Sequence, residues 1–184
     1  DLYNEPGNEA VFTRRVEPDP RGALAPQSVE LAEVCFGWAR AERPEQPLTS
    51  GVWSRDWATT EARLLELSDF VSFHNYFSLD PLARQVAQLR NLGRPLMCTE
   101  WLARSLGSLP ETHLPYFAAG QIGCFHWGLV NGRTQTHLPW PILDGPAAKS
   151  RWHHDLLHAD GTAYDEKEIA LFSHWCRTAA RAGG

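Results

Sequence analysis

Long apolar runs are missing from this 184-residue chain. None approaches the roughly 18 residues that a membrane span requires, so no membrane partner is expected. Cysteine is scarce: Cys35, Cys98, Cys124 and Cys176 are widely spaced and form no Cys-x-x-Cys pair, which speaks against zinc and redox motifs. Basic charge is in deficit too, with a formal net charge of -5. Nucleic-acid binders usually carry a concentrated basic patch, so the expected partner is a neutral small molecule or polymer and not a nucleic acid. The chain has no Gly-x-Gly-x-x-Gly, no phosphate loop, no Gly-x-Ser-x-Gly frame around Ser50, Ser72 or Ser78, and no His-Glu-x-x-His. No cofactor and no metal are expected. A leading methionine and a basic-then-apolar signal segment are also missing. Because the chain opens inside what reads as a strand, it is read as truncated upstream.

What is present is 43% hydrophobic residues with eight tryptophans, enough for the core of one domain over 1–184. Tyr3-Asn4-Glu5-Pro6-Gly7 reads as the end of a buried strand, followed by a long loop from Gly7 to Pro26. Leu31, Val34, Cys35, Trp38 and Ala41 recur at helical spacing from Ser28 to about Arg43, and define the face that packs. Pro47–Trp53 reads as a strand, Thr59–Leu67 as a short helix and Phe70–Tyr76 as a clear strand. Asp80-Pro81 opens a helix that Gly93 closes, and Pro95–Trp101 is the strand that ends in Glu100.

Ser108 and Glu111 have capping-box spacing, with Pro115 expected to shorten or kink the helix that follows. Gly123–Gly128 is the last strand. Residues 129–163 form a long segment with a helical turn around His153–His158, read as solvated. Asp165 and Glu168 start a final helix whose buried face holds Ile169, Phe172, Trp175 and Cys176. Strict alternation places Cys98 and Cys124 so that a bridge between them is disfavoured and buried free thiols are expected. Strand and helix alternate through about five units, which implies a parallel sheet covered by helices. Polar residues gather at the strand ends, where a (β/α)8 barrel carries its active site, and five units are part of such a barrel.

Two strand-end glutamates, Glu5 and Glu100, suit glycoside cleavage with retention. One carboxyl protonates the leaving oxygen while the other attacks the anomeric carbon, the two standing about 5–5.5 Å apart. Glu5 is the expected acid/base, because Asn4 beside it can bond a sugar 2-OH and apolar neighbours raise a carboxyl pKa. Glu100 is the expected nucleophile. Trp53, Trp57, Trp101 and Trp140 are candidate sugar platforms, and His126 is expected to face the helices as a core histidine.

Asn4-Glu5-Pro6 and, three strands later, Thr99-Glu100-Trp101 resemble the retaining (β/α)8 glycosidases of clan A, most similar to glycoside hydrolase family five, the cellulase, mannanase and xylanase group. The resemblance implies an α/β fold made of strands four to eight of a TIM barrel. It also implies hydrolysis of β-linked sugars, with Glu5 as acid/base, Asn4 as its companion and Glu100 as nucleophile. His74-Asn75-Tyr76 is similar to the family's His-x-Tyr, in which the tyrosine bonds the nucleophile and the histidine lines the site. Trp127 resembles the tryptophan on which the sugar stacks. One alternative is a non-catalytic carbohydrate-binding barrel. Another is a metal-dependent hydrolase built on the histidines near 154, which include the His154 and His158 pair at i, i+4.

Overall fold

The computed structural model describes residues 1–8, 24–53, 59–140, 143, 146 and 150–182. Residues 9–23, from the loop expected after Glu5, and Trp57 lie outside them. The described chain is mixed α/β. Its elements are α1 (Leu24–Ala41), α2 (Thr59–Leu67), β1 (Val71–His74), α3 (Leu79–Arg90), β2 (Leu96–Glu100), a 3-10 turn (Arg104–Leu106), α4 (Pro110–Ala119), β3 (Gly123–Cys124) and α5 (Glu166–Ala182). The three strands form a parallel sheet in the order β1-β2-β3, so chain order and sheet order agree. Among the described residues, no helix is long and apolar enough to cross a membrane.

Contacts divide the chain into two compact units. The first is Asp1–His74 with Gln88–Met97, and the second is Asn75–Ala87 with Cys98–Gly184. In the first, α1 packs on α2 around Ala32, Phe36, Leu64 and Leu65, beside Val52, Val71 and Phe73. In the second, α4 packs on α5, and Trp101, Leu102, Leu114, Phe117 and Ile122 fill the interior.

Several elements depart from expectation for identifiable reasons. The opening stretch is a turn and not a strand: Leu2 N–H bonds the Thr49 carbonyl at 2.8 Å, and Asn8 N–H then returns to the Glu5 carbonyl at 3.0 Å. Glu5 sits at φ 48°, an uncommon conformation for a residue with a side chain. That break buries Glu5 while Asn4 stays exposed. The strand expected over Pro47–Trp53 reduces to one parallel bridge from Val52 to Phe73. The amides of Leu48, Ser50 and Trp53 bond the side chains of Asp69, Ser68 and Glu61, which take the donors that a ladder needs.

The packed face of α1 is also displaced. Leu31, Val34 and Trp38 are exposed (47%, 45% and 66%), whereas Ser28, Ala32 and Phe36 are buried. The helix at Pro110 begins at an N-cap, Leu109, without a side-chain cap, and Ser108 Oγ instead accepts from the Leu102 amide at 3.1 Å. It runs on through Pro115 to Ala119. At α5, Asp165 Oδ1 accepts from the Lys167 amide at 2.8 Å, as an N-cap should. Cys176, expected on the buried face of this helix, is exposed. All four cysteines are free, Cys98 fully buried and Cys124 half-buried, and burial lifts the Cys98 thiol well above its ordinary pKa and the Cys124 thiol to about 11.

Candidate active site

The surroundings of Glu5 are built on residues 49–53 and β1. Ser50 Oγ donates to the Tyr3 carbonyl at 2.8 Å, and Trp53 Nε1 donates to the Pro6 carbonyl at 3.2 Å, so the turn is held on both sides of Glu5. His74 closes β1 with its amide on the Val52 carbonyl at 2.8 Å. Its Nδ1 meets Glu5 Oε1 at 2.7 Å, both residues being buried, while Asn8 Nδ2 donates to Glu5 Oε2. The carboxyl thus has a partner at each oxygen. Gly51 leaves room for the imidazole, since a Cβ at 51 would lie 2.7 Å from His74 Nε2. Trp53, half-buried, ties the turn around Glu5 through its indole N–H. Asn8 was not read as a site residue, because a short polar residue in a turn carries no distinctive signal.

The surroundings of Glu100 are built on β2 and the segment after β1. Glu100 is buried, and Tyr76 donates its hydroxyl proton to Glu100 Oε2 at 2.5 Å. Asn75 N–H bonds the Glu100 carbonyl at 3.0 Å, and the Asn75 amide group is fixed by Gln85 at 2.7 Å. On the other side of β2, Phe125 N–H reaches the Cys98 carbonyl and Trp127 N–H the Trp101 carbonyl, each at 2.9 Å. Between these bonds one residue, His126, stands against two, Thr99 and Glu100, the extra-residue register of a bulge, a feature common beside active sites. Trp101 follows directly. Its ring is fully buried and stacked between His113 and Phe172, with ring centroids 5.7 Å away in both cases. Trp101 is therefore a core residue with no free face for a sugar, contrary to expectation.

Trp127 is 44% exposed and presents an open ring. Trp140 is half-buried and meets Tyr76 edge-on at 5.0 Å. His126 lies against Phe172 of α5 at 4.9 Å, so it does face the helices, and burial lowers its pKa.

Within their own units, then, Glu5 is joined to His74, and Glu100 to Tyr76. Asn4 is exposed, and Trp101 belongs to the core.

The segment expected to be a solvated turn is the largest correction. His153, His154 and Asp155 are all but fully buried and form no helical turn. Arg104 is the reason. Its guanidinium binds the Glu168 carboxylate, with Nε to Oε1 at 2.9 Å, and donates to the carbonyls of Trp152, His154 and Asp155 at 3.3, 3.0 and 3.1 Å. Its amide adds a bond to the His153 carbonyl at 2.9 Å. Only at Asp160–Thr162 does the chain form the exposed turn that was expected, with Gly161 at φ 86°.

Burial lowers the pKa of His153 and of His154 to about 4 and also lowers His113 and His126. In the unfolded chain a histidine titrates near about 6.5. Between those two values the unfolded state binds more protons than the folded one, so stability is full above about pH 6.5 and falls as pH drops toward about 4. Denaturant unfolding at pH 7, 6 and 5 is expected to give a steadily lower midpoint. The part of this window above about pH 5 lies outside the ordinary carboxylate range, which isolates the histidines. His153→Phe should flatten the slope, and a midpoint independent of pH would contradict the assignment.

Comparison of the chain with protein-family models and with curated proteins finds no match in either.

Proposed function

We propose that the chain is a retaining glycoside hydrolase acting on β-linked sugars, formed by the C-terminal five units of a (β/α)8 barrel. Glu5 is the acid/base and Glu100 the nucleophile. The observation that carries this reading is the tripeptide His74-Asn75-Tyr76, whose first residue bonds one glutamate and whose third bonds the other. Both acids are buried, and each is bonded by a side chain of this tripeptide. The agreement of chain order with sheet order suits consecutive barrel strands, with β1, β2 and β3 as strands six, seven and eight.

The chemistry follows double displacement. Glu100 attacks the anomeric carbon as the glycosidic bond breaks, and Glu5 gives its proton to the departing oxygen. Water then attacks the glycosyl-enzyme, its proton passing to Glu5 while Glu100 leaves. The Tyr76 hydroxyl keeps the Glu100 carboxylate oriented. Trp127 offers its open face to the sugar ring.

Glu5→Ala tests the acid/base role. Hydrolysis of glycosides with poor leaving groups should fall about 10²- to 10⁴-fold, while activated aryl glycosides lose far less in the first step. Added azide should then yield a glycosyl azide of retained configuration. Equal losses for good and poor leaving groups would overturn the role. Sugar binding without any turnover by the unaltered chain would favour the carbohydrate-binding alternative.

A further inference from the structure

Two residues beyond Glu100, Leu102 adopts φ 77°, a left-handed conformation that is costly for a residue with a side chain and persists only where its surroundings enforce it. Both of its backbone polar groups are held by side chains. The amide donates to Ser108 Oγ at 3.1 Å, and the carbonyl accepts from His154 Nδ1–H at 2.5 Å. Because burial holds His154 neutral, the proton on Nδ1 fixes its tautomer.

The ring lies 5.4 Å from the Tyr76 ring, whose hydroxyl bonds Glu100, and 5.7 Å from Trp140. His154 is itself immobilised. Arg104 binds its carbonyl, its amide donates to the Thr136 carbonyl at 3.3 Å, and Gly128 packs so closely that a Cβ there would lie 2.6 Å from His154 Cβ. Among the described residues, its buried Nε2 has no hydrogen-bond partner. A phenyl ring would bury at less cost at this position, so stability does not explain the imidazole, and the Nδ1–H bond does.

We propose that His154 is a positioning residue for Glu100. By clamping the Leu102 carbonyl it maintains the strained turn that ends β2 on its bulge, and by packing on Tyr76 it holds the ring whose hydroxyl orients the carboxylate. The inference rests on the hydrolase reading for its effect on catalysis, but the clamp itself is testable without a substrate.

Two variants separate the parts. His154→Phe keeps a ring and removes the donor. His154→Asn loses the ring and places an amide N–H near the position of Nδ1. Amide hydrogen exchange followed by NMR should speed up at Leu102 by about tenfold or more in His154→Phe, with Phe117 in the core as the unchanged reference, and return toward the original rate in His154→Asn. On an activated aryl β-glycoside, kcat should fall about 10- to 100-fold in His154→Phe with KM within about twofold, as expected for a misplaced group, and recover only in part in His154→Asn, which restores the donor but not the ring against Tyr76. Unchanged exchange at Leu102 in His154→Phe overturns the clamp, and faster exchange with unchanged kcat overturns its role in positioning. An unaltered chain that turns over no aryl β-glycoside counts against the hydrolase reading alone, and the exchange rates then decide the clamp.

Discussion

Glu100→Gly is expected to lower hydrolysis of an aryl β-glycoside by roughly 10³-fold or more, because it removes the only group assigned to attack the anomeric carbon. The backbone should tolerate the change. Glu100 ends β2, its carbonyl keeps the Asn75 amide whatever the side chain, and the Leu102 turn is held by Ser108 and His154. Glycine within a strand and the loss of a partner for the Tyr76 hydroxyl cost on the order of 1–3 kcal/mol together, so unfolding should shift without abolishing the fold. Removing the carboxylate also opens a space on the face where the sugar is attacked, and a small external anion can use it. A buried structural glutamate, by contrast, would lose stability on this substitution and leave the rate per folded molecule unaltered. Circular dichroism beside the rate measurement separates the two.

Arg104→Met is expected to produce the largest loss of stability. The substitution leaves the buried Glu168 carboxylate without its cation and three carbonyls without their donor. Breaking one side of a buried pair costs about 3–5 kcal/mol. For a chain of this length that corresponds to a fall in Tm of roughly 6–20 °C. Adding Glu168→Leu should restore part of it, since an apolar pair avoids the unpaired charge, while the carbonyls of 152, 154 and 155 stay without a donor. Calorimetry on the single and double variants gives the comparison. A Tm within about 2 °C of the original in Arg104→Met would mean that the residue contributes as an ordinary surface charge does.

The glutamates and their two partners were legible because each stands in a short motif: the acid after asparagine and before proline, the acid before tryptophan, and histidine two residues from tyrosine. Helix positions were legible where one apolar stripe dominated, as in α2 and α3. In α1 two stripes compete, and periodicity does not say which one packs. The larger side chains Leu31, Val34 and Trp38 were favoured on hydrophobicity, yet the smaller Ala32 lies on the buried face, where it permits close approach to α2.

Strand 47–53 failed for a different reason. Its amides are taken by Ser68, Asp69 and Glu61, side chains up to 21 residues away, so its β propensity is real but its ladder is not formed. Arg104 and Glu168 are 64 residues apart and no local pattern links them. Without that link the run His153-His154-Asp155 reads as a polar turn, and its burial becomes visible only when the guanidinium collects the carbonyls. Trp101 is a candidate sugar platform by sequence, as a tryptophan able to stack at a cleft mouth, but its ring is fully buried between His113 and Phe172.

The most direct test of the central assignment is the product that Glu100→Gly forms from an activated aryl β-glycoside in the presence of azide, with its anomeric configuration read by proton NMR. Attack of azide from the face vacated by the carboxylate predicts a glycosyl azide of inverted configuration, with the acid/base Glu5 still in place. Normal hydrolysis by the variant, with no azide adduct, would contradict Glu100 as the nucleophile and with it the proposed double displacement.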